Sequence, residues 1–217
     1  MAVASPPVPK AAAQTVGRFE LRRQLGQGAQ AVVWLAHDPR LDREVALKLM
    51  RREAAGDAAS VDHWLAEARA VSRLTHPHIV PVFEADTHAG QPYLVFAYVA
   101  GRTLSDAMRA EGAMPPHAAV ALVADVLDAL ALAHAGGIVH RDLKPSNVML
   151  DERNEPIVMD FGLAFQVNTE KNARLTQSGA VLGTPAYMAP EQVSGDLGQI
   201  GVRSDIYALG VMLYQFL

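Results

Sequence analysis

The chain changes texture at Gly101, and that change limits its possible folds more than any other feature. Before Gly101 come short apolar, β-branched runs bounded by polar turns. Val32-Val33-Trp34-Leu35 and Val45-Ala46-Leu47-Lys48-Leu49 flank the turn His37-Asp38-Pro39-Arg40, and Val80-Pro81-Val82-Phe83 and Tyr93-Leu94-Val95-Phe96 flank His88-Ala89-Gly90. Such runs read as strands. One helical stretch interrupts them from about Ser60 to Leu74, where Val61, Trp64, Leu65, Ala68, Val71 and Leu74 share a face, and Pro77 bars its continuation. After Gly101 helices dominate. A short one is expected over about Thr103–Ala110, and Pro115-Pro116 opens a long Ala/Leu/Val helix that closes at Gly136-Gly137. Short strands follow at Val148–Leu150 and Ile157–Met159, and a last apolar helix runs from Ser204-Asp205 to Leu217. Strands first and helices second predict an α+β fold of two lobes with a site between them. Residues 1–17, rich in Ala, Pro and Val, read as a flexible tail.

Composition narrows the chemistry. With no cysteine among 217 residues, disulfides and thiolate zinc sites are excluded. A net charge of −4 gives no basic surface for nucleic acid or an anionic membrane. The chain has no unbroken apolar run of the ~18 residues a membrane helix needs. Its N-terminus lacks a basic segment followed by an apolar one, so a cytoplasmic location is expected.

The chemistry concentrates in His140-Arg141-Asp142-Leu143-Lys144-Pro145-Ser146-Asn147, followed by Asp160-Phe161-Gly162. These segments hold a carboxylate to orient a hydroxyl, a lysine to meet a phosphate, and Asn147 and Asp160 as hard oxygen ligands for Mg²⁺. Upstream, Gly26-Gln27-Gly28-Ala29 makes a glycine-rich turn through which backbone N–H groups can approach phosphate oxygens. Lys48 sits inside an apolar strand, where an ammonium needs a partner. Glu67 lies on the following helix. His76-Pro77-His78 has no cysteine or carboxylate beside it and reads as a loop rather than a metal pair, and His117 and His134 read as surface or capping residues.

Together these segments resemble the protein-kinase superfamily, with Lys144 marking the serine/threonine branch and the whole chain after the tail most like the bacterial eukaryotic-like enzymes. The resemblance implies a bilobal kinase-like fold, with an N-lobe and hinge over 18–99 and a partial C-lobe over 100–217. It implies ATP and Mg²⁺ as cofactors, and transfer of the γ-phosphoryl group to Ser or Thr of protein substrates. Asp142 would orient the acceptor hydroxyl and take its proton, and Lys144 would neutralise the moving phosphoryl group. Lys48, held by Glu67, would meet the α- and β-phosphates. Thr184, in Gly183-Thr184-Pro185-Ala186-Tyr187-Met188-Ala189-Pro190-Glu191, would bond near Asp142 and Lys144.

Leu25, Gly26, Gln27, Gly28, Ala29, Val33, Ala46, Lys48, Phe96, Tyr98, Val99 and Met149 are the expected nucleotide contacts, with Phe96 as gatekeeper. Val71, Val82, His140 and Phe161 would stack between the lobes. Ala31 stands where the family carries a third glycine. Thr176 and Ser178 are candidate phosphorylation sites, with Arg141 a partner for added charge and a second copy of the chain a possible phosphorylating partner. The family continues with further helices after the position of Leu217. Glu191 is therefore expected to lack its arginine partner, and apolar faces of helices 116–135 and 205–217 to stand uncovered. From the same resemblance a membrane anchor in the parent protein stays open, and an inactive ATP-binding or interaction module is the alternative function.

Overall fold

The computed structural model describes residues 14–52, 57–161, 185–196 and 198–217. The first half forms an antiparallel six-stranded sheet of β1 (Thr15–Val16), β2 (Phe19–Gln27), β3 (Ala31–Asp38), β4 (Arg43–Met50), β5 (Val82–His88) and β6 (Gln91–Ala97), in the order β1-β2-β3-β4-β6-β5. Thr15 and Val16, assigned to the tail by composition, instead pair with Glu20 and Phe19, and Val16 is buried beside Phe19. The strand period of two sorts β4 onto two faces. Val45 and Leu47 join Val16, Phe19, Leu21, Ala36, Tyr93 and Val95 in a small outer core. The alternate residues, Ala46, Lys48 and Met50, look the other way, and the register sets Ala46 opposite Phe96 and Lys48 opposite both Val33 and Leu94.

Against that inner face lies helix α1 (Ala58–Val71). Asp57 caps it by accepting from the Ser60 N–H at 2.9 Å, and its i, i+4 stripe of Trp64, Ala68 and Val71 is buried in the main core. The strand expected at Val80–Phe83 begins only at Val82, because the preceding residues turn toward the other lobe. Ile79 bridges Val158 in parallel, and Val158 exchanges hydrogen bonds with His78 and Val80.

The second half opens with β7 (Gly101–Thr103), which pairs with β8 (Val148–Asp151), which in turn pairs with β9 (Pro156–Val158). Gly101 adopts φ +151°, and a Cβ built there falls 2.0 Å from the Leu150 carbonyl oxygen, so the residue at the change of texture has to be glycine. Thr103 caps α2 (Leu104–Glu111). Helix α3 (Pro116–Ala135) is long and apolar enough to cross a membrane by length and composition, although Asp125 and Asp128 break its apolar run. Its Ala119, Leu122, Val126, Ala129, Leu130 and Ala133 are buried, and it packs on β9 and on α5 (Val202–Phe216). Between lies the short α4 (Pro190–Ser194). Val120, Leu127 and Leu132 of α3 and Ile206, Tyr207 and Tyr214 of α5 are exposed, as expected for uncovered apolar faces.

Candidate active site

The segment 140–147, the candidate catalytic loop, folds around a buried carboxylate that sequence reasoning did not single out. Asp205, on the first turn of α5, is 1% exposed and accepts from the backbone N–H groups of His140 (2.8 Å) and Arg141 (2.9 Å) and from His134 Nε2 (2.8 Å). Three donors satisfy a charge that burial alone would make costly. His134 is therefore a partner of the loop rather than a surface residue. Arg141 takes φ +67° so that two successive N–H groups reach Asp205, and its carbonyl accepts from Gln192 Nε2 at 2.7 Å. His140 is buried. Its Nε2 donates to the Met159 carbonyl at 2.8 Å and its Nδ1 faces the Asp142 N–H, while burial lowers its pKa and keeps the ring neutral.

Past that anchor, Asp142, Lys144 and Asn147 converge. Lys144 Nζ donates to both Asp142 carboxylate oxygens, at 3.0 and 2.7 Å. Asn147 Nδ2 donates to the Asp142 carbonyl (2.7 Å) and carboxylate (3.2 Å), which leaves its Oδ1 without a hydrogen bond among the described residues. The Met159 N–H donates to the Asn147 carbonyl at 2.9 Å, and this bond carries Asp160 back beside Asn147. Asp160 also takes a left-handed conformation, φ +60°. Burial pushes the Asp160 carboxyl up, but the Lys48 ammonium, 2.8 Å away, outweighs it, and the carboxyl titrates below the usual range. Phe161 is buried against His140, with ring centroids 4.9 Å apart.

The expected Lys48–Glu67 pair is not formed. Lys48 binds Asp160 instead, and Glu67 accepts from Arg141 NH1 at 3.2 Å and lies 3.7 Å from His63. The Lys48–Glu67 pair was what the kinase resemblance implied. The structure brings them to the same region but gives each a nearer partner of opposite charge. Arg141 was expected to partner charge added at Thr176 or Ser178, and those residues lie outside the described ones. Glu191 likewise finds a local partner in place of an arginine: its carboxylate accepts from the buried Ser204 hydroxyl at 2.6 Å.

Between the sheet and this loop lies a cleft of about 440 Å³. Leu25, Gly26, Val33, Ala46, Lys48, Phe96, Tyr98, Val99 and Met149 line it, as the sequence analysis proposed for nucleotide contacts. Gln27, Gly28 and Ala29 do not line it; the turn lifts them away, with the Gly28 N–H closing onto the Ala31 carbonyl at 2.9 Å. Val80, Thr103, Asp106 and Met159 also line the cleft, and their separate sequence positions gave no local signal. In the linker, the Ala97 N–H is taken by the Pro81 carbonyl at 2.9 Å, whereas Tyr98 and Val99 make no backbone hydrogen bond among the described residues. Their peptide groups are the ones left to read a flat heterocycle. Thr184, Thr176 and Ser178 lie outside the described residues.

Comparison with known proteins agrees with this geometry. Residues 19–217 match the family model described as a protein kinase domain. The chain is 44% identical over 204 residues to the serine/threonine-protein kinase PknB of Mycobacterium leprae, covering 92% of this chain and 32% of that protein. It is 40% identical over 200 residues to the serine/threonine-protein kinase PknL of Mycobacterium tuberculosis, covering 92% and 49%. The chain thus spans about a third to a half of these relatives' length. Among solved structures, a point mutant of the Mycobacterium tuberculosis PknI kinase domain superposes with a TM-score of 0.77 at 29% identity, covering 96% of this chain and 77% of that one.

Proposed function

We propose that this chain, which belongs to the protein kinase family, transfers the γ-phosphoryl group of ATP to serine or threonine hydroxyls of proteins. The observation that carries the reading is the convergence of Asp142, Lys144, Asn147 and Asp160 at the floor of a cleft whose walls are apolar. Val33, Ala46 and Met149 suit the two faces of an adenine, and the Tyr98 and Val99 peptide groups suit its edge. Thr103 and Asp106, at the mouth, offer oxygens to a ribose.

The donor set fits Mg²⁺. The unused Asn147 Oδ1 and the ionised Asp160 carboxylate are hard oxygen ligands, and the Met159–Asn147 hydrogen bond fixes their spacing. Bound there, Mg²⁺ supplies charge neutralisation to the phosphates. The chain's own residues do the rest. The Asp142 carboxylate would accept from the acceptor hydroxyl, align its oxygen and take its proton as the new P–O bond forms and the bond from the γ-phosphorus to the bridging oxygen breaks, releasing ADP. Lys144 then turns from Asp142 toward the transferring oxygens, which gain negative charge. Lys48, which lines the same cleft beside Asp160, would be placed to meet the remaining phosphates. Autophosphorylation of Thr176 or Ser178 by a second copy of the chain extends the same reading.

The test is label transfer from γ-labelled ATP with Mg²⁺ to a generic protein substrate, with the Asp142→Asn variant alongside. Label well above the variant supports transfer through Asp142. Label equal to the variant, with nucleotide still bound, makes the chain an ATP-binding module instead. Tryptic mass spectrometry of the same reaction reads Thr176 and Ser178 directly.

A further inference from the structure

We infer that His78, Asp125 and Glu155 form a binding site for a divalent transition-metal ion of the zinc class, away from the catalytic cleft. The three residues come from three elements: the segment between α1 and β5, helix α3, and the turn of the β8–β9 hairpin. Their donor atoms all lie within 4.8 Å of one another, and His78 Nε2 is 3.8 Å from Asp125 Oδ1. A zinc-type ion with bonds of about 2.0–2.2 Å holds tetrahedral ligand atoms roughly 3.4 Å apart. Glu155 is exposed, so a small swing of its side chain closes the set.

The orientation of the imidazole is what points to a cation. His78 Nδ1 lies 2.8 Å from the Pro156 carbonyl oxygen, which can only accept, so the ring proton sits on Nδ1. Nε2 is then the ring nitrogen turned toward Asp125 and Glu155, the position a metal ligand needs. A backbone carbonyl that fixes the tautomer and orients the free nitrogen is the usual outer support of a metal-bound histidine. Among the described residues neither Asp125 nor Glu155 pairs with lysine or arginine. Nearby His76 and Asp128 satisfy each other at 3.1 Å and stay out of the set, while His76 Nδ1 accepts the His78 N–H at 3.2 Å and steadies the loop. One imidazole with two carboxylates favours zinc-class ions over Mg²⁺, which prefers oxygen alone. An ion here pins the segment that follows α1 to α3 and the hairpin, and so ties the lobe carrying Lys48 to the lobe carrying the catalytic loop.

The chain is stripped with EDTA, exchanged into chelator-free buffer and titrated with Co²⁺ by visible absorption, then with Zn²⁺ in competition. The expected result is one saturable equivalent of Zn²⁺ and a higher Tm in its presence. Asp125→Asn and Glu155→Gln are each expected to weaken Zn²⁺ by more than the roughly tenfold that loss of even a supporting partner costs. Asp160→Asn, in the cleft, is expected to leave Zn²⁺ affinity unchanged. Glu155→Gln changes an exposed side chain and keeps the fold testable. Absence of a saturable equivalent, wild-type affinity in both Asp125→Asn and Glu155→Gln, or loss of the equivalent in Asp160→Asn each overturns the site. In the first two cases a proton on His78 is the cation instead.

Discussion

The catalytic loop and the Lys48 region are built differently, although both face the same cleft. In the loop, Asp142, Lys144 and Asn147 lie within a few residues of one another and already touch, and their backbone hangs from one buried carboxylate, Asp205. Around Lys48 the groups come from a strand, a helix and the other lobe, and they stand in a different pairing: Lys48 with Asp160, Glu67 with Arg141. Chemistry carried on one short segment is assembled by local backbone geometry. Chemistry divided among packed elements depends on how those elements sit.

Substitutions separate the two halves of that comparison. The largest effect is expected at Asp142→Asn, which breaks the loop half: transfer of label should fall by about 10²–10⁴, the range typical for loss of a general base, with little change in nucleotide binding. Next is Trp64→Ala, which removes the buried anchor of α1 and should lower unfolding free energy by about 3–5 kcal/mol in urea titrations. A smaller effect comes from pH. His140 has a folded pKa below its ordinary 6.5, because burial disfavours the imidazolium, so the unfolded chain takes up a proton that the folded chain refuses. Stability is therefore undiminished above pH 6.5 and should fall below it, by up to about 1.4 kcal/mol per pH unit from this group, measurable as Tm against pH. The smallest effect is expected for Glu67→Gln, which cuts a partly exposed pair with Arg141 and should cost only ~0.2–1 kcal/mol of stability. A larger loss of phosphoryl transfer than of stability in that variant would mean that Glu67 leaves Arg141 and engages Lys48 during turnover.

The same division explains what could be read from the sequence. The strand runs and the helices follow from apolar patterning and from Pro and Gly placement, and the structure places them within a few residues of the expected bounds. Val33, Ala46, Lys48 and Phe96 were assignable to the cleft, and strand register explains why they share a face. Asp205 was not assignable, because its three donors come from positions far earlier in the chain and an aspartate at the start of a helix reads as an ordinary end-of-helix charge. His134 was hidden for the same reason. His76 and His78 seemed to lack carboxylates because Asp128, Asp125 and Glu155 arrive only through α3 and the hairpin. The Lys48–Glu67 expectation failed because residue type names possible partners, while the position of α1 selects among them.

The most direct test of this account is a pair of double-mutant cycles in urea on the nucleotide-free chain, one for Lys48 with Asp160 and one for Lys48 with Glu67. The account predicts coupling for Lys48–Asp160 above the ~0.3–0.5 kcal/mol within which independent sites add, and none above that range for Lys48–Glu67. Coupling found for Lys48–Glu67 and absent for Lys48–Asp160 would contradict it.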